Sequence, residues 1–146
     1  MPSPATLATL LPQPLPDAPA ERILLFAFRR MAAHGLHDAA AANALLAAFG
    51  GGFQRPLIAL RAMVADLSAA AAGPIQVAPC CCCRMTGSEG ALVALLRRAE
   101  RDPDGAGLLL GDLLGRRRVE GVLASATLVA NAFADLGHPL GSSGGD

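Results

Sequence analysis

The feature that most constrains this chain is the spacing of apolar residues near its C-terminal end. Val119, Val122, Leu123, Ala126, Val129, Ala130 and Phe133 recur at intervals of three and four. Such offsets lay one wide stripe along a helix, and a striped helix needs other elements to cover it. The same rhythm returns upstream between breakers. Leu24, Ala27, Phe28 and Met31 mark a helix that starts near Pro19, with Asp17 close enough to assist its first turn. Gly35 stops it, and Arg22 and Arg29 are expected on its outer side.

Asp38 suits the N-cap of a second helix that runs to the glycines at 50–52. Pro56 is expected to open a third, striped by Leu57, Leu60, Val64 and Leu67 and closed by Gly73-Pro74. Thr86 with Glu89 matches a capping box, and Leu92, Leu95, Leu96 and Ala99 give the inner face of the helix that follows. Asp102-Pro103 restarts the chain into a glycine-weakened helix, and Gly137 and Pro139 end the last one. The text "IQVA" at 75–78 is the one strand-like stretch, and a single short segment cannot make a sheet.

These elements predict an all-α fold, a compact bundle of five or six short helices with one extended or loop segment around residues 74–85. Residues 18–140 are expected to form a single helical domain. Residues 1–17, with five prolines, read as an irregular arm whose Leu7, Leu10, Leu11 and Leu15 can lie on the body. Residues 141–146 read as a flexible tail. A chain of 146 residues buries about 70% of its unfolded surface, so a real core needs no staples.

Composition removes several functions. All twelve basic residues are arginine, which excludes Schiff-base chemistry and a phosphate-binding lysine. Twelve acids balance them, and Trp and Tyr are absent, so neither a global field nor a stacking surface recruits nucleic acid. No apolar run is long enough to cross a bilayer, and the N-terminus lacks the pattern of a secretory signal. The expectation is a cytoplasmic protein with reduced thiols, no membrane contact, and a second copy or another protein as its class of partner.

All four cysteines, Cys80, Cys81, Cys82 and Cys83, form one unbroken run. Three readings compete. Unpaired cysteines often pack as small hydrophobes. Thiolates also bind zinc or iron, although neighbours in an extended chain face opposite sides and standard sites space their ligands. Third, Arg84 and the helix start at Thr86 lie next to the run, and both favour a reactive thiolate. The candidate metal set is Cys80–Cys83 with His34 and His37; His34 is expected to continue the inward stripe of the first helix. Arg116, Arg117 and Arg118 are a weak anion-binding candidate at a helix C-terminus.

Other candidates fall away. "GGGFQRP" lacks the lysine and Ser/Thr of a phosphate loop, and Ser88, Ser125 and Asp112 have no local catalytic partners. Met31, Met63 and Met85 read as core filler. No nucleophile–base or acid–base constellation can be assembled, so an enzyme is the least supported class.

With "PCCCCRMT", "RRMAAHGLHDA" and "FADLGHPLG", the chain resembles a family of short uncharacterised bacterial proteins, a domain of unknown function with a Cys-Cys-Cys-Arg-Met-Thr-type segment. The resemblance covers roughly residues 20 to 141 and implies no activity. The functional expectation is metal binding or thiol-redox sensing at the Cys80–Cys83 loop. Its rival is a non-catalytic interaction or scaffold protein whose cysteines are structural.

Overall fold

The computed structural model describes residues 13–141. Six α-helices carry the fold: α1 (Pro19–His34), α2 (Ala39–Phe49), α3 (Gln54–Ala70), α4 (Gly87–Arg98), α5 (Pro103–Leu114) and α6 (Glu120–Asp135). A 3-10 turn at Gly50–Gly52 joins α2 to α3. The architecture is the all-α bundle that the periodicity predicts.

Local chemistry sets most helix ends. Pro19 begins α1, where its missing N–H costs nothing. The cap there is Ala18 without a side-chain bond, and Asp17 instead lies near enough to Arg97 to favour its charge. Asp38 caps α2 by accepting from the Ala41 amide at 3.0 Å, and Asp102 caps α5 by accepting from Gly105 at 3.0 Å. Gly115 closes α5 in the left-handed conformation, at φ 68°. Pro56 sits two residues inside α3 and does not open it. The first turn of a helix makes no demand on amide donors, so proline is accepted there.

The helices pack mainly in three pairs, α3 with α6, α4 with α5, and α1 with α2. Arg55 meets Asp135 and Asp66 meets Ser125, which makes α3 and α6 antiparallel. One core runs through the bundle, with Leu45, Leu60, Leu95, Leu110 and Phe133 fully buried. Phe49 meets Phe133 edge-on at 5.2 Å between ring centroids. Among the described residues, no helix is long and apolar enough to cross a membrane.

Between α3 and α4 the chain is irregular. Ile75 and Val77 pack on the core while Gln76 faces out, as in an extended strand, but "IQVA" pairs with no other strand among the described residues. The short ladder lies elsewhere: β1 (Gln13–Pro14) pairs antiparallel with β2 (Arg84–Met85), Gln13 opposite Met85 and Pro14 opposite Arg84. Leu15 follows β1 and packs with Leu25, Met85 and Val93 in a second, smaller cluster. Leu7, Leu10 and Leu11 lie outside the described residues, as does most of the expected tail.

Candidate functional site

The cysteine run is held from beneath by a buried ion pair. Arg29 on α1 is only 3% exposed, so its expected place on the outer side is overturned. The reason is that α4 covers this flank of α1 as well as the stripe facing the main core. Glu89, in the first turn of α4, is fully buried opposite it. Arg29 Nε donates to Glu89 Oε2 at 2.7 Å, and Arg29 Nη2 donates to Oε1 at 3.0 Å. This is the two-pronged geometry that a guanidinium makes best with a carboxylate.

The remaining bonds of the pair go to the loop. Arg29 Nη1 donates to the Cys82 carbonyl at 2.8 Å, and Nη2 donates to the Arg84 carbonyl at 2.6 Å. Glu89 accepts from the Ala78 amide at 3.2 Å and from the Thr86 amide at 2.9 Å. The Thr86 amide bond and the return bond from Glu89 N to Thr86 Oγ1 complete the capping box. Thr86 Oγ1 also donates to the Gln76 carbonyl at 2.7 Å. Ala78, Cys82, Arg84 and Gln76 are thus tied by side chains, which is how this backbone is satisfied without a sheet. No buried side-chain polar atom among the described residues lacks a partner.

Above this staple the thiols reach solvent. Cys80, Cys81 and Cys83 are exposed and Cys82 is half-buried; all four are free. The chain does not run extended through them. Cys82 N donates to the Pro79 carbonyl at 3.0 Å, closing a turn with Cys80 and Cys81 at its corners. The strict alternation of faces expected of an extended run therefore does not apply.

Two guanidinium groups border the turn. The Arg30 fork holds Asp38, Nε to Oδ2 and Nη2 to Oδ1, both at 3.0 Å. Arg29 lies near Cys82 and Cys80 as well as Glu89. The Glu89 hydrogen bonds, outweighing burial, raise the Arg29 pKa further, and the Asp38 bond does the same for Arg30. Both stay fully charged beside the thiols. The Arg30 bond, together with the Ala41 amide, holds the Asp38 carboxyl below its ordinary range, and His34 is near enough to contribute.

The histidines are placed less centrally than expected. His34 does not continue the inward stripe. The last turn of α1 is exposed from Ala32 to Gly35 and borders an open groove of about 440 Å³. His37 is also exposed. His138 is exposed, yet its ring lies 5.3 Å from Phe49. Among the described residues, no group of three or more His, Cys, Asp or Glu side chains is placed to hold a metal ion. Arg116, Arg117 and Arg118 are exposed; Arg116 Nε donates to the Ala70 carbonyl at 2.9 Å, tying the end of α3 to the end of α5.

Arg29 and Glu89 are the site residues that the sequence reading missed, and a signal for them exists. Glu21, Leu25 and Arg29 are spaced by four on α1; Glu89, Val93 and Arg97 repeat the order on α4. Laid antiparallel, the two triplets match acid to base at both ends and apolar to apolar between.

The model of a family of unknown function, DUF6628, matches residues 4–111. The matched span includes the cysteine run and "RRMAAHGLHDA" but stops short of "FADLGHPLG". No curated protein and no solved structure matches the chain.

Proposed function

Because the chain belongs to DUF6628 and that membership names no activity, we propose from its own geometry that it is a thiol-based redox sensor. The sensing element is the Cys80–Cys83 turn, and its readout is the conformation of the loop that Arg29 and Glu89 hold. One observation carries this reading: free cysteines, three of the four exposed, sit on a turn whose backbone is gripped by the buried Arg29–Glu89 pair through the Cys82 and Arg84 carbonyls and the Ala78 amide. Cysteines that serve only packing are commonly buried, and these are not.

Zinc or iron held by the same thiols with His34 or His37 is the competing proposal. It has less support, because His34 and His37 are exposed and, among the described residues, no three His, Cys, Asp or Glu side chains are placed to hold an ion. The sensor reading also implies a compartment that keeps the resting thiols reduced, hence a cytoplasmic location.

The test is a thiol count on the full chain, purified without chelators, before and after mild oxidation and again after reduction. A reversible loss of free thiols, with no stoichiometric metal, is expected. Thiols that stay free under oxidant, or bound zinc or iron lost when the cysteines become serine, would sink the proposal.

A further inference from the structure

Independently of the sensor reading, we infer that the groove beside the end of α1 is the seat of this chain's own N-terminal arm, which enters it as a short helix with Leu7, Leu10 and Leu11 turned inward. The groove, about 440 Å³, opens between the later turns of α1, those of α3, and the segment that follows α3. Phe28, Met31, Val64 and Leu67 are its buried floor, and Ile75 and Val77 its half-buried wall. No charged side chain among the described residues lines it. Such a surface suits an uncharged apolar segment.

The arm is one. Residues 1–12, "MPSPATLATLLP", hold no charged side chain. Leu7, Leu10 and Leu11 stand at i, i+3 and i+4, the spacing by which a helix lays one face in a groove. Ser3 followed by Pro4 suits an N-cap and a first helical position, and Pro12 is where such a helix must stop. Alone, so short a helix is unstable in water; packing of its apolar face is what would hold it.

Placement agrees with composition. The described residues begin at Gln13, which pairs with Met85. The next residue, Thr86, donates from its hydroxyl to the carbonyl of Gln76, which sits between the wall residues Ile75 and Val77. Twelve residues span about 18 Å as a helix and about 40 Å when extended, so length does not keep the leucines from the groove. The match to the family model begins at residue 4, so most of the arm belongs with the helices it would cover.

The experiment is methyl NMR on the full chain. The Leu10 and Leu11 methyls should show contacts with Met31 and Ile75, and these should stay within one molecule when labelled and unlabelled chains are mixed. Contacts seen only between molecules, as for an arm seated in a second copy, would overturn the inference. So would leucine methyls that touch nothing in the groove. Limited proteolysis gives a second readout, with Ala32→Glu and Ser68→Glu combined to charge two exposed positions on the groove rim. Chymotrypsin should then cut after Leu7 and Leu10 about tenfold faster than in the parent. An unchanged rate in a folded variant would count against the docked arm.

Discussion

The interface between α1 and α4 ends in an Arg–Glu pair on each side, and the two pairs live in different surroundings. At one end Arg29 and Glu89 have side chains 2% and 0% exposed; at the other, Arg97 and Glu21 are 43% and 4% exposed. Both carboxylates are bidentate partners, and both also accept from loop amides. Glu89 takes Ala78 and Thr86, while Glu21 takes Gly141 at 3.0 Å. Leu25 and Val93 pack between the ends. The same construction therefore ties down two loops, one carrying the thiols and one closing the last helix. What separates them is water: Arg97 can be rehydrated if its partner is lost, and Arg29 cannot. A buried pair specifies geometry and is costly to break, whereas an open pair is easily replaced.

The largest expected effect comes from breaking the buried end. Glu89→Gln leaves the Arg29 charge buried against a neutral amide and should cost about 3–5 kcal/mol. Urea denaturation of the variant checks this, and a loss below about 1 kcal/mol would mean that water already reaches Arg29. Exchanging the partners sharpens the contrast. Glu21→Arg with Arg97→Glu takes away the acceptor that the Gly141 amide uses and should cost about 1–3 kcal/mol. Arg29→Glu with Glu89→Arg should be far more damaging, because an arginine at 89 cannot accept from Ala78 and Thr86. Equal stabilities for the two exchanges would show the ends to be equivalent.

A smaller effect isolates the cap from the charge. Thr86→Ala removes the hydroxyl that serves Glu89 N and the Gln76 carbonyl, and should cost about 1 kcal/mol. Amide exchange should quicken at Glu89 first, since its N–H loses the hydroxyl that accepts it; uniform protection across α4 would contradict it.

The smallest effect is a pH dependence at the open end. Burial alone would raise the Glu21 carboxyl, but hydrogen bonds from Arg97 and the Gly141 amide hold it below its ordinary value of 4.5. A lowered folded-state pKa stabilises the fold fully above the unfolded value, and the gain is lost as pH falls through the folded one. Glu21→Gln should therefore cost stability at neutral pH, and the gap to the parent should close as pH falls below about 4.5. Parallel stability curves across that window would show that the carboxylate charge contributes nothing.

How much of this was legible can be seen residue by residue. Asp38, Thr86 with Glu89, and Asp102 were readable as caps because capping is a local contract between a side chain and an amide a few residues on. The stripe of α6 was readable because one face of one helix suffices to show it. His34 was misplaced for the opposite reason: spacing gives the face a residue shares, but not whether anything packs there. Arg29 was misplaced because a helix touched on two sides has two inward faces, and the weaker one is written in charge as well as in leucine. The turn at Pro79–Cys82 was hidden because no residue in "PCCCC" dictates it; side chains from α1 and α4 impose it.

By itself, then, the amino-acid order determined that the chain is helical, where most helices begin and stop, and that four thiols sit together in a non-helical connection. Only the tertiary structure decided that three of those cysteines are exposed, that the run begins in a turn, and that Arg29 and Glu89 lie buried beneath it. The physical reason is range. Periodicity and capping act over one turn, whereas the placing of a charge 60 residues from its partner follows from which helix faces meet.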